Sequence, residues 1–243
     1  MKKIGIIGGG ILGLSIGYKL VLSKKYSIHI YEKENELGRH QSGNNSGVLH
    51  CGLSYTPGSL KAKLSVDGIH KMISFCKKYH IDHDICGKLV VASNESETTS
   101  LENLAKRGEL NGLKGLKFLN KEELKKREPN IHSLKSLLVP GEGIVNFNQV
   151  MDKLSEIIKS EGGFIYLNSP IKKIINHNNS STIISDKSEN NFDIIINCTG
   201  LFSDRTYTSI TNEKSPIKII PFRGEYLKIK NQYKNIFNHL IYP

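Results

Sequence analysis

The chain has 243 residues, enough for two modest domains or one large one, and its 38% apolar content with no long polar tract excludes a disordered chain. Its 34 Lys and Arg against 23 Asp and Glu give a formal net charge of +11. The lysines are interleaved with acids, as in Lys121-Glu122-Glu123-Leu124-Lys125-Lys126-Arg127-Glu128. Such spacing describes a solvated helix and not a nucleic-acid surface.

Cys51, Cys76, Cys86 and Cys198 form no Cys-x-x-Cys pair and have no paired histidine spacing. Neither a disulfide framework nor a zinc site is expected, no metal is assigned, and a reduced, cytoplasmic compartment fits. Lys2-Lys3 before an apolar stretch imitates a secretory signal, but Gly8, Gly9 and Gly10 interrupt it. No apolar segment approaches the roughly 20 residues that span a bilayer.

The first element is the apolar run Ile4-Gly5-Ile6-Ile7, read as a buried strand. Gly8-x-Gly10-x-x-Gly13 follows and leads into a helix beginning near Gly10, with Leu14, Ile16, Gly17, Leu20 and Val21 on its apolar face. Glycines at this spacing allow a tight turn, close approach of backbone N–H groups to a pyrophosphate, and close helix–strand packing. The helix N-terminus adds the positive end of its dipole. Ser27-Ile28-His29-Ile30-Tyr31 alternates like a strand and ends at Glu32, 19 residues after Gly13. An acid there accepts hydrogen bonds from a ribose 2′-hydroxyl and repels a 2′-phosphate. Gly8, Gly9, Gly10, Ile11, Leu12, Gly13, Glu32 and Lys33 are therefore expected to bind a dinucleotide.

Residues 33–56 form a long loop rich in Gly, Ser and Asn, expected to line a ligand. A helix opens at Pro57-Gly58-Ser59 and runs to about Tyr79. Lys88–Ala92 reads as a strand, 95–111 and 121–127 as helices, Ser136–Val139 as a strand, and Pro140-Gly141-Glu142-Gly143 as a turn. Asn146 to Ser160 is an amphipathic helix, followed by short strands at Phe164–Leu167, Ile171–Ile175 and Thr182–Ile184. Asp193–Cys198 is a buried strand entering a second glycine turn at Thr199-Gly200, and a helix covers 201–210. Ile217–Pro221 and Glu225–Ile229 alternate like strands. The order is mixed α/β. The return to the nucleotide sheet at 197–200 suggests FAD, a long cofactor clasped from distant segments.

At residues 40–62 the loop, His40-Gln41-Ser42-Gly43-Asn44-Asn45-Ser46-Gly47-Val48-Leu49-His50-Cys51-Gly52-Leu53-Ser54-Tyr55-Thr56-Pro57-Gly58-Ser59-Leu60-Lys61-Ala62, resembles the flavin loop of L-2-hydroxyglutarate oxidases and dehydrogenases. These belong to the D-amino-acid-oxidase-like superfamily. Lys125–Asn130, Ser160–Gly163, Pro221-Phe222-Arg223-Gly224-Glu225-Tyr226 and Asn238–Pro243 resemble the same family in the same order. The resemblance implies an α/β fold: a Rossmann-like FAD-binding domain of the glutathione-reductase type with a discontinuous mixed α+β substrate domain. The expected division is 1–81 and 141–212 for FAD, and 82–140 and 213–243 for substrate.

The resemblance further implies oxidation of an L-2-hydroxy acid, L-2-hydroxyglutarate foremost, to a 2-oxo acid by hydride transfer to flavin N5. Electrons would leave to oxygen or to a membrane quinone pool, with peripheral association on the inner face of the membrane as a corollary. Two departures stand beside the expected substrate pocket: Cys51 and Ser54 replace the family's usual Ala and Tyr. Family members also extend past Pro243, so a fragment incomplete at the C-terminus is expected. The alternatives are a related flavin enzyme acting on glycerol 3-phosphate or a secondary amine or amino acid, a non-catalytic flavin-binding fragment, and a tRNA-modifying flavoprotein, which the absence of any nucleic-acid motif weakens.

His50 is the candidate base, because an imidazole accepts a hydroxyl proton near neutral pH. The alternatives are a hydrogen bond to a loop carbonyl, a role in orienting flavin, or covalent attachment to it. Arg223 is a candidate clamp for a substrate carboxylate, or else an ion-pair partner of Glu225. Tyr55 could give a hydroxyl to substrate, or bury its ring against the loop. Gln41, Ser42, Ser46, Gly47 and Val48 are expected around flavin and pyrophosphate, with turn chemistry as the plainer reading. Thr199 and Gly200 are expected to back the pyrophosphate. Ile171 holds adenine through its backbone or simply packs in the core. His80 and His239 read as structural or exposed.

Overall fold

The computed structural model describes residues 1–233 and 236–243. In chain order the elements are β1 (Lys2–Ile7), α1 (Ile11–Leu22), β2 (Tyr26–Tyr31), β3 (Val48–Leu49), α2 (Leu60–Tyr79), β4 (His83–Asp84), β5 (Lys88–Ala92), α3 (Glu95–Leu110), β6 (Lys117–Leu119) and α4 (Lys121–Arg127). They continue with β7 (Lys135–Val139), β8 (Gly143–Val145), α5 (Phe147–Ser160), β9 (Phe164–Tyr166), β10 (Ile171–Asn176), β11 (Ser181–Ser185), β12 (Glu189–Phe192), β13 (Ile194–Asn197), α6 (Ser203–Thr211) and β14 (Leu240–Tyr242). Two compact units result: Met1–Ser46 with Phe147–Gly224, and Gly47–Asn146 with Glu225–Pro243.

The first unit is built on a parallel sheet in the order β13-β1-β2-β9. β1 is buried from Ile4 to Ile7, the unbroken apolar run that a parallel sheet covered on both faces requires. Ile4 lies beside Ile28 of β2 and Ile194 of β13. α5 buries Val150, Met151, Leu154 and Ile158 at helical spacing. Gly17 lets α1 lie close: a Cβ there would stand 2.8 Å from Ile30 and 3.3 Å from Ile158. The antiparallel ladder β10-β11-β12 joins the sheet through a core of Ile7, Tyr31, Ile174, Ile183 and Phe192. Each such side chain contributes about 1.5–3 kcal/mol by its burial.

The second unit has a mixed sheet, β14-β5-β7-β6, and a small antiparallel sheet, β3-β8-β4. Leu89, Leu119, Leu124 and Leu138 form its core beneath α4. Local sequence sets the helix ends. Ser59 accepts the Ala62 N–H to start α2, and His80 ends it in the left-handed region at φ 54°. Asn120 and Glu123 form a reciprocal capping box at the start of α4. No helix among the described residues is long and apolar enough to cross a membrane.

One expectation is corrected. Ile217–Pro221 and Glu225–Ile229 are not strands; residues 214–230 contain no helix or strand. Their alternation is real, but a strand also needs a neighbour to take its backbone groups. Among the described residues no strand lies alongside them, and Phe222 and Leu227 stand 92% and 98% exposed.

Candidate functional site

In the first unit the glycine turn is closed by the return strand. Ile7 O accepts the Cys198 N–H at 2.8 Å, and a Cβ on Gly8, whose φ is 112°, would stand 2.3 Å from Cys198 O. A Cβ on Gly13 would stand 2.0 Å from Gly8 O. These two positions therefore admit no side chain. α1 begins with Gly10 as its N-cap, without a side-chain cap and without an acid in its first turn. Ser42 Oγ accepts the Ile11 N–H at 3.0 Å, which ties the loop to the helix start. Leu12 is exposed beside it.

Glu32 is buried at the edge of this turn. Its Oε2 accepts the Gly9 N–H at 2.7 Å and its Oε1 accepts the Glu34 N–H at 3.0 Å. Lys33 Nζ lies 4.0 Å from the Phe202 ring centroid and 3.5 Å from Glu34. Thr199 Oγ1 donates to Asn197 Oδ1 at 2.6 Å, and Gly200 takes φ 54° with Gln41 Oε1 close by. Glycine turn, acid, loop and return strand thus converge. Ser46 is exposed at the end of the loop. The Ile171 side chain lies against the Ile7–Tyr31–Phe192 core. A cleft of about 510 Å³ lined by Glu36, Arg39, Asn148 and Asp152 contains none of the expected site residues.

In the second unit, sheet register builds a charged cluster. Val48 pairs with Ile144 and Leu49 with Gly143. The next pair in that antiparallel register is His50 with Glu142. Gly143 is obligatory here, since a Cβ would stand 2.1 Å from Asp84 O. Gly47 takes φ 70° and its carbonyl accepts the Val145 N–H at 2.8 Å.

Glu142 is 1% exposed. Its Oε2 lies 2.7 Å from Lys88 Nζ and 3.4 Å from His50 Nδ1. Its Oε1 accepts from Cys51 N–H and Cys51 Sγ, both at 3.2 Å. Burial alone would raise the carboxyl pKa, but His50, Lys88 and Cys51 together hold it down to about 2. Burial, with Glu142 beside it, pushes the Cys51 thiol up to about 12. Tyr242 completes the group, its ring edge-on to His50 at 6.3 Å and under Lys88 Nζ at 5.1 Å. Burial, then Glu142 and Tyr226, raise its hydroxyl pKa.

Tyr55 sits nearby in sequence, half-buried, with Lys61 Nζ 4.6 Å from its ring centroid and its carbonyl accepting from Asn111. Arg223 lies exposed in the irregular stretch 214–230. Glu142, Lys88 and Tyr242 escape a reading of the sequence. Glu142 sits in a Pro-Gly-Glu-Gly segment that reads as a turn, and only the β3–β8 register brings it to His50. His239 is mostly buried, with Nδ1 2.7 Å from Glu128 Oε1.

The family profile described as FAD dependent oxidoreductase matches residues 3–243. The chain is 41% identical over 242 residues to the L-2-hydroxyglutarate dehydrogenase of Indibacter alkaliphilus, covering 99% of this chain and 61% of that protein. It is 39% identical over 245 residues to the L-2-hydroxyglutarate dehydrogenase of Escherichia coli K12, covering 100% of this chain and 58% of that one. The chain thus spans about three fifths of the length of these relatives. Among solved structures, the dithionite-reduced L-alpha-glycerophosphate oxidase of Mycoplasma pneumoniae with FAD bound superposes with a TM-score of 0.76 at 24% identity, over 86% of this chain and 57% of that one. That likeness carries the fold. With the profile spanning nearly every residue, and with a glycine turn whose close backbone packing at Gly8 and Gly13 admits no side chain, the chain belongs to the FAD dependent oxidoreductase family.

Proposed function

We propose that this chain is the FAD-binding part of an enzyme oxidising an L-2-hydroxy acid, L-2-hydroxyglutarate to 2-oxoglutarate. One observation carries the geometry: the turn at 8–13, closed by Cys198 and flanked by Glu32, packs backbone on backbone so closely that Gly8 and Gly13 admit no Cβ, and it presents the start of α1 without a side-chain cap. The two relatives with that substrate in their names narrow the substrate class.

When bound, FAD supplies the acceptor for the hydride leaving the carbinol carbon. The chain's residues do the rest. Backbone N–H groups at the start of α1 bind the pyrophosphate, and Thr199 and Gly200 back it. Glu32, already fixed by the Gly9 N–H, accepts from the ribose hydroxyls. Gln41, Ser42, Ser46, Gly47 and Val48 line the flavin loop. His50 accepts the substrate hydroxyl proton as the carbonyl forms, Tyr55 donates a hydroxyl to substrate, and Arg223 pairs with a carboxylate. Oxygen or a membrane quinone serves as the final electron acceptor, and a peripheral position on the inner membrane face goes with the quinone.

The test is anaerobic mixing of the FAD-loaded protein with L-2-hydroxyglutarate, sn-glycerol 3-phosphate and sarcosine in parallel. Bleaching of the flavin spectrum by the first alone supports the reading. Faster bleaching by either of the others would replace it, and no bleaching by any would leave a flavin-binding role.

A further inference from the structure

We propose that Glu142 is a positioning residue for His50: its carboxylate holds the Nδ1 edge of the ring and leaves Nε2 as the nitrogen that accepts a proton. The assignment rests on the reading of His50 as the proton acceptor. Its motive is that the sheet places an ionised, 1% exposed carboxylate directly beside the candidate proton acceptor. A buried carboxylate is expensive unless paired, and an apolar pair of similar volume often serves stability as well.

The arrangement has three parts. Register is the first, since the β3–β8 ladder that pairs Leu49 with Gly143 sets Glu142 opposite His50. Charge is the second. Lys88 Nζ, only 8% exposed, lies 2.7 Å from Oε2, and Cys51 donates its N–H and S–H to Oε1. The carboxylate therefore stays ionised, an acceptor at every working pH. Access is the third. The His50 side chain is 47% exposed while Glu142 is 1% exposed, so the Nδ1 edge of the ring faces a buried charge 3.4 Å away and the rest remains open. Tyr242 stands edge-on to the ring, with centroids 6.3 Å apart. A neutral imidazole whose Nδ1 carries the proton toward a carboxylate has an unprotonated Nε2. Other titratable groups facing the cluster are Lys88, Cys51 and Tyr242, and none of them accepts from Nδ1.

The test uses the FAD-loaded protein with 15N-labelled histidine, the His50 signals being identified by their loss in His50→Ala. The wild type should show Nδ1 protonated and Nε2 unprotonated. Removing Glu142 alone would orphan Lys88, so the variant is Lys88→Met/Glu142→Leu, which replaces the whole buried pair by apolar groups. In that variant the Nε2–H tautomer should appear. Flavin reduction at saturating L-2-hydroxyglutarate should slow about 10–100-fold, with the FAD Kd within about twofold. In a His50→Ala background the same change should cost nothing further, because coupled residues are not additive. An unchanged tautomer, or a full additional loss in the His50→Ala background, overturns the assignment. A tautomer change in a protein whose flavin L-2-hydroxyglutarate never reduces supports the Glu142–His50 coupling and overturns only the hydroxy-acid reading.

Discussion

Glu142 carries an ionised carboxylate at 1% exposure because three neighbours share its charge, and that gives it a measurable pH signature. Its pKa is lowered in the fold from 4.5 to about 2. A group depressed in this way contributes stability that is fully present above about pH 4.5 and is lost as the pH falls toward 2. The urea-unfolding free energy of the wild type should drop through that window, and Lys88→Met/Glu142→Leu should drop less steeply. Parallel pH curves would show that the carboxylate gains nothing from its partners. Arg223 makes a different prediction. As a carboxylate clamp, its replacement by Ala should weaken L-2-hydroxyglutarate binding about 10–100-fold, the loss of one bidentate charged contact at roughly 1.5–3 kcal/mol. The Kd from flavin perturbation measures it, and an unchanged Kd removes Arg223 from the site.

At the scale of elements, the glycine turn and its helix were legible because one short stretch combines a buried strand, glycines of fixed spacing, an amphipathic helix and an acid. Each signal is local. The cluster around His50 was not, because it depends on β3, a two-residue strand, meeting β8, which brings in Glu142 from 92 positions further along the chain, a pairing no local pattern announces. The alternation at 217–229 misled for the mirror-image reason: the pattern was local, and among the described residues no partner strand lies alongside it. Gly13→Ala tests the turn. Its Cβ would meet Gly8 O at 2.0 Å and push α1 off β1, so FAD affinity should fall at least about tenfold and unfolding free energy by about 2–4 kcal/mol. Retained FAD affinity, measured by flavin fluorescence titration, would show that the close approach is not what builds the site. β14 tests the second unit. Glu128 Oε1 accepts the backbone N–H groups of Asn238 and His239, each at 2.7 Å, and lies 2.7 Å from His239 Nδ1. Glu128→Ala leaves these donors unpaired and should cost about 3 kcal/mol in urea unfolding. A loss under about 1 kcal/mol would mean that water replaces the carboxylate.

For the whole molecule, sequence and structure contribute different things. The resemblance of the 40–62 loop and of Pro221–Tyr226 carried the family, and the profile match over residues 3–243 bears it out. The fold class follows from element order, since βαβ at the start and a strand returning at 194–197 make one parallel sheet. Chemistry was less legible, because proton acceptors, their anchors and their counter-charges come from segments far apart in sequence. The central proposal is that this chain is the FAD-binding part of an enzyme that oxidises L-2-hydroxyglutarate. Product stoichiometry in an anaerobic single turnover tests that most directly. One 2-oxoglutarate formed per flavin reduced is the predicted result; a bound flavin that stays oxidised, with no 2-oxoglutarate formed, would contradict it.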